Sequence, residues 1–209
     1  MKKRATLISI VLIFAILLID QIIKIWVKTH MTIGEDISVI DGFFSIQFIE
    51  NMGMAFGMEF WGKWGKLGLS IFRMIAISGL VWYIVKLIKT QAKLLFIICI
   101  SMVIAGATGN LIDCAVYGLI FNESTTLQVA SIFPPEGGYA GFLTGKVVDM
   151  FYITAKIGDT SLFPFIFNIA DASITISVLI MIVFYNRVFG IKKQTIAEPV
   201  EHDEHCIKE

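Results

Sequence analysis

Four apolar stretches dominate this chain, at about 5–27, 67–88, 94–116 and 162–187. Each approaches or exceeds the roughly 20 residues that an α-helix needs to cross a hydrocarbon core of about 30 Å. In lipid every backbone amide must find its partner inside the protein, so isolated apolar stretches of this length fold as helices. Hydrophobic residues make up 56% of the 209 positions, above the roughly 45–50% of soluble domains, and mean hydropathy is +0.80. The expected class is an all-α membrane protein with four transmembrane helices, a small extracytoplasmic β-sheet and a long extracytoplasmic loop.

Placement of charge sets the expected orientation. Ten Lys and Arg (Lys2, Lys3, Arg4, Lys86, Lys89, Lys93, Arg187, Lys192, Lys193, Lys208) fall on one side and five (Lys28, Lys63, Lys66, Lys146, Lys156) on the other, with Lys24 and Arg73 inside spans. The positive-inside rule then puts both termini in the cytoplasm. The opening "MKKR" and its apolar run imitate a secretory signal, but no small-residue cleavage site follows, so a retained helix is expected. Acidic and basic residues balance at 17 each, which gives no excess for nucleic acid or an acidic partner. A membrane unit at 1–191 is expected to end in a disordered polar tail at 192–209, where "HDEHC" reads as solvated chain rather than a metal site.

Two long loops face outward in this scheme. In the first, "ISVIDGFFSIQFIE" places two β-prone runs around Asp41-Gly42, a hairpin signal with positive φ expected at both turn residues, within an outer β-element at about 37–57. "FWGKWGK" then mixes Trp61 and Trp64 with Lys63 and Lys66, as at a lipid–water interface. The second, 117–161, is irregular through "FPPEGGYAGFLTGK" and turns β-prone at "KVVDMFYI". Asp159, Thr160 or Ser161 would cap the last helix, with Pro164 in its first turn.

Every expected span carries polar groups toward its outer end. Asp20 and Lys24 are spaced i, i+4 in the first, Arg73 lies inside the second, and Asn110 and Asp113 are one turn apart in the third. In "FNIADASITIS" of the last, Asn168, Asp171 and Thr175 would share a face, with Asp171 roughly 14 Å below the helix start. A charged Asp at a helix centre costs about 2.5–3.5 kcal/mol to insert, so such groups normally mark function. Structural alternatives stand beside this. Asp20 and Lys24 could simply neutralise each other, Asn110 and Asn168 could be interhelical glue, and Asp113 could be a buttress.

Five ordered segments carry a family resemblance: "DQIIK" (20–24), "NMGMAFG" (51–57), "GATGNLID" (106–113), "VVD" (147–149) and "FNIADASI" (167–174). Together they make the chain resemble signal peptidase II, the bacterial lipoprotein signal peptidase. The resemblance implies an aspartic endopeptidase of the inner membrane with its site toward the outer face. Its substrate would be a prolipoprotein whose cysteine already carries diacylglycerol, cut just before that cysteine. Asp149 and Asp171 map to the catalytic pair. Asp20, Lys24, Asn51, Gly53, Asn110, Asp113 and Asn168 map to supporting or substrate-binding positions, and the outer sheet to the substrate's cradle. No metal or cofactor is implied. Membrane lipids are the surroundings, nucleic acid is not a partner, and a monomer is expected.

Two departures from the family pattern stand out. Many members have Arg after the third-helix acid, where this chain has Cys114, and Arg73 is the candidate to supply the missing charge. The loop at 120–146 is longer than in compact members and is read as a flap over the carboxylates. The rival readings are a small proton-coupled transporter, whose inverted repeats the sequence does not display, and a membrane assembly subunit.

Overall fold

The computed structural model describes residues 2–52, 62–158, 160–161 and 163–189, with the backbone alone at Gly62 and Lys63. The expected tail at 192–209, the caps at Asp159, the interfacial Trp61 and the glycine-bearing segment from Gly53 to Gly57 lie outside those residues. Among the described residues three helices are long and apolar enough to cross a membrane: α1 (Lys2–His30), α2 (Gly62–Lys89) and α3 (Leu94–Ile112). A fourth apolar helix, α5 (Ile169–Val183), has 15 residues and is followed by the short α6 (Tyr185–Phe189). At 1.5 Å per residue α5 is about 22 Å long, so the expected 162–187 span is a shorter helix than its apolar composition suggests.

Its late start has a local cause. Pro164 disfavours helical geometry in the residue before it and cannot donate to a ladder or helix. Ile166 and Phe167 instead form β6 (Ile166–Phe167), and Asn168 takes an extended backbone and caps α5 through its own side chain. Asp171 therefore sits in the first turn of the helix rather than roughly 14 Å along it. Thr175, one turn further along the same face of α5, is exposed.

The packing is arranged for lipid. Large side chains of α1 such as Leu7, Val11, Phe14, Leu18 and Ile22 are exposed, whereas Ser9, Asp20, Lys24 and Lys28 of the same helix are buried. Helix α3 lies at the centre, against α1, α2 and α5. It can do so because Gly106 and Gly109 lack side chains: a Cβ on Gly106 would collide with Ala170 O, and one on Gly109 would come 2.7 Å from Asp20 Oδ2. Small residues at such a crossing let backbones approach and bring polar groups into range. Beyond Ile112 the helix continues past its expected end through a π-helical turn at Asp113–Tyr117 and a final turn, α4 (Gly118–Ile120). π-Helical turns inside helices occur frequently at functional sites.

Among the described residues lies a four-stranded antiparallel sheet in the order β1-β2-β3-β6, from β1 (Asp36–Ile40), β2 (Phe44–Asn51) and β3 (Val147–Ile153). β4 (Lys156–Ile157) and β5 (Thr160–Ser161) pair separately. The hairpin falls at Asp41-Gly42 as the sequence suggests, but only Gly42 has positive φ, at +71°. Phe48, Val148 and Met150 turn one face of the sheet onto Val27, Met31, Tyr117 and Phe121. Strand side chains alternate, so Asp149 points to the other face.

The 120–146 segment is strapped to this body rather than hanging as a flap. Thr125 O accepts from Ile33 N (3.0 Å), Cys114 O from Gly145 N (2.8 Å) and Gly118 O from Ala140 N (2.9 Å). Ser70 of α2 donates to Leu143 O at 2.9 Å. The interfacial assignment of Lys66 also changes, because Lys66 is buried and directs Nζ to Met52 Sδ (3.3 Å), while Trp64 is exposed.

Candidate active site

Two asparagines gather the carboxylates. Asn168 donates through Nδ2 to Asp149 Oδ1 at 2.6 Å and accepts at Oδ1 from the Asp171 backbone N–H at 2.8 Å. The same Nδ2 lies 3.1 Å from Asn110 Oδ1, and Asn110 Nδ2 donates to Asp171 Oδ1 at 2.8 Å. From β2, Asn51 Nδ2 reaches Asp149 Oδ2 at 3.3 Å. Asp149 and Asp171 thus arrive from a strand and from a helix N-terminus. The positive end of that helix's dipole complements negative charge.

Behind them Lys24, fully buried in α1, is shared by two further acids. Its Nζ is 2.9 Å from Asp20 Oδ2, 2.8 Å from Asp113 Oδ2 and 2.9 Å from Asn110 Oδ1. Asp20 Oδ1 accepts the backbone N–H of Ala170 at 3.0 Å, and Asp113 Oδ2 that of Val148 at 3.3 Å. Each acid therefore holds the amide one residue before one of the facing aspartates. A buried charge survives only when paired and hydrogen-bonded, and here one ammonium serves two carboxylates that fix the two supports of the site.

The structure brings Asp20, Lys24, Asn51, Asn110, Asp113, Asp149, Asn168 and Asp171 together in one hydrogen-bonded network; Gly53 lies outside the described residues. The sequence reasoning misses Gln21, whose Nε2 is 3.1 Å from Asp20 Oδ2 and 3.0 Å from Asp113 Oδ1, and Tyr117, whose hydroxyl donates to Gln21 Oε1 at 3.1 Å. It also misses Lys28, paired with Glu50 beneath the sheet. The spacing of Asp20, Lys24 and Lys28, four residues apart along one helix face, was the available signal for the last. Arg73 does reach the third-helix motif: its Nη1 is 3.4 Å from Cys114 Sγ.

Asp149 is 2% exposed, and burial first, then the charge of Asp171, push its carboxyl up to about 7, against the pull of Lys24, Asn51 and Asn168. A carboxyl raised this far, beside a second carboxylate, can carry a proton near neutrality, while its neighbour can receive one. Among the described residues no group of three or more His, Cys, Asp or Glu side chains is arranged to hold a metal ion.

Residues 12–187 match the family model described as Signal peptidase (SPase) II. This chain belongs to the signal peptidase II family. Its relatives include the lipoprotein signal peptidase of Porphyromonas gingivalis, 39% identical over 94% of this chain and 92% of the relative. Those of Clostridium tetani (32% identical, 90% and 98% covered) and Amoebophilus asiaticus (30% identical, 88% and 76% covered) are also similar. Two solved chains, both described as bacterial membrane enzyme structures obtained by the in meso method, superimpose with a TM-score of 0.58. They are 27% and 28% identical and cover 90% and 85% of this chain, and 93% and 91% of their own lengths. As a member of the signal peptidase II family, the chain is a membrane-embedded peptidase, and the transporter reading finds no support.

Proposed function

We propose that this protein is an aspartic endopeptidase that removes the signal peptide from diacylglyceryl-modified prolipoproteins, cutting just before the lipidated cysteine. The observation that carries it is Asn168, one side chain bonded both to Asp149 and to the amide of Asp171. Asn168 thereby orients the Asp149 carboxylate and fixes the backbone that carries Asp171, whose own carboxylate takes the Asn110 Nδ2 donor.

Asp149, buried and raised toward neutrality, is the proton-bearing member, and Asp171 is the base. Asp171 takes a proton from a water molecule as the water oxygen bonds to the scissile carbonyl carbon. The Asp149 proton passes to the carbonyl oxygen, giving a neutral tetrahedral gem-diol. Collapse breaks the C–N bond: the proton on Asp171 goes to the departing cysteine nitrogen, and a hydroxyl of the diol returns its proton to Asp149. The water oxygen stays in the new carboxyl group of the signal peptide. Lys24, Asp20, Asp113 and Asn110 hold these two groups at their working separation, and Asn51 lines Asp149 from the sheet.

The sheet is the cradle on which the peptide lies, and Arg73 contacts the substrate in place of the family's arginine. Gly53 is assigned a supporting role by the resemblance. The enzyme acts as a monomer in the cytoplasmic membrane, with both termini inside and the site toward the outer face, so the substrate's acyl chains remain in the bilayer.

The test is to present the reconstituted protein with one prolipoprotein in diacylglyceryl-modified and unmodified forms, in water enriched in heavy oxygen, and read the products by mass spectrometry. The expected result is cleavage of the modified form alone, before the lipidated cysteine, with one solvent oxygen in the released carboxyl group. Cleavage elsewhere, or equal cleavage of both forms, contradicts it.

A further inference from the structure

A second buried charge cluster lies on the back of the sheet, away from the carboxylate pair. Glu50 of β2 pairs with Lys28 of α1 and, at 3.2 Å through Oε2, with Lys146 just before β3. Lys28 is fully buried, bonds Ser124 Oγ at 2.9 Å, and lies 5.3 Å and 5.0 Å from the ring centroids of Phe121 and Tyr139. Ser124 Oγ also donates to Glu50 Oε1 at 3.3 Å. One carboxylate thus joins α1, β2, the approach to β3 and the 120–146 strap.

Glu50 immediately precedes Asn51, and neighbouring strand residues point to opposite faces. Glu50 is drawn into the back of the sheet, while Asn51 stands on the front against Asp149. The β2–β3 register is irregular between Ile46 and Ile49, so the end of β2 is a separate three-residue ladder, Ile49 to Asp149, Glu50 to Val148 and Asn51 to Val147. Glu50, at its centre, gives that ladder an ionic anchor.

We infer that Glu50, clamped by Lys28 and Lys146, is a positioning residue that holds Asn51 on Asp149 and so couples the outer strap to the catalytic pair. This rests on the aspartic mechanism proposed above. The charged groups facing Asp149 are Asp171 from α5 and Lys24 from α1, with Asp113 bonded at the adjacent Val148 amide. Asn51 and Asn168 face it as neutral donors.

A donor to the charged form lowers a carboxyl pKa, so losing Asn51 raises that of Asp149. Removing the negative charge of Glu50 acts through space in the opposite direction. An upward shift on altering Glu50 therefore reports release of Asn51.

The experiment is the pH dependence of kcat/KM for cleavage of a lipidated prolipoprotein by the full-length enzyme, over about pH 5–9. Wild type, Asn51→Ala, Glu50→Ala and the double variant are compared. Asn51→Ala is expected to move the alkaline limb up by about 0.5–1 pH unit. Glu50→Ala should move it the same way, and the double variant should lie no higher than Asn51→Ala alone, at it or slightly below by the through-space effect of the lost charge. Glu50→Gln, which keeps the volume, should give a smaller upward shift and supplies the test if Glu50→Ala fails to fold. If Asn51→Ala shifts the limb but the Glu50 variants leave it in place, lower it, or add to Asn51→Ala, the positioning role is overturned. If Asn51→Ala itself leaves the limb unmoved, the failure lies with the assignment of the limb to Asp149, and the positioning role falls with it.

Discussion

Asn168 donates to Asp149 Oδ1 at 2.6 Å, while its own Oδ1 caps the helix that carries Asp171. The geometry of the proposed catalytic pair and helix initiation are thereby joined in one amide. Asn168→Ala removes both bonds. The expected outcome is a fall in kcat/KM of about 100-fold, as for a small misplacement of a reacting group, with about 1 kcal/mol lost from stability through the missing cap. Single-turnover cleavage and thermal unfolding in detergent check the two parts.

Asp149 gives stability a definite pH dependence. Its folded carboxyl is raised from 3.8 to about 7, so the native state prefers the protonated form. The contribution of Asp149 to wild-type stability is fully present below the unfolded value, falls as pH rises from about 4 to about 7, and is then level. Asp149→Asn removes the ionisation, so at pH near 8 it should unfold later than wild type by up to about 4 kcal/mol. The gap should close on acidification, as read by thermal melts across pH.

Lys24 is a shared counter-ion, and its loss should be severe. Lys24→Met leaves Asp20 and Asp113 buried without it, and breaking a buried pair costs roughly 3–5 kcal/mol. The variant should accumulate poorly in membranes and melt early, which quantitative immunoblotting and melts would show. Lys24→Arg should not restore function, because the wide guanidinium cannot replace a compact ammonium held within 2.9 Å of three oxygens.

Arg73, 3.4 Å from Cys114 Sγ, is assigned to substrate binding rather than to chemistry. Arg73→Gln should raise KM about 10-fold with kcat little changed, the pattern of lost uniform binding. Steady-state kinetics separate the two constants. An unchanged KM would remove Arg73 from the substrate's path.

Much of the site was legible in the sequence because its residues are expensive in lipid. Asp20, Lys24, Asp113 and Asp171 are costly in otherwise apolar helices, and the β-prone run at "VVDMFYI" became β3. The path of the last span was less legible. Apolar composition alone cannot distinguish extended chain pairing with β3 from helix, and Pro164 followed by the Asn168 cap decides for the former. Glu50 and Lys28 escaped notice because both lie near segment ends, where charged residues ordinarily read as solvated. Their burial depends on the fold of the 120–146 strap, whose irregular backbone has no periodicity to read.

The most direct measurement is release of the signal peptide from a lipidated prolipoprotein by reconstituted wild type, Asp149→Asn and Asp171→Asn, with folding of each confirmed by its melting transition. Both variants should remain folded and lose at least about 1,000-fold in rate, because neither can complete the proton transfers alone. A folded variant of either aspartate that cleaves at the wild-type rate would contradict the assignment of Asp149 and Asp171 as the catalytic pair.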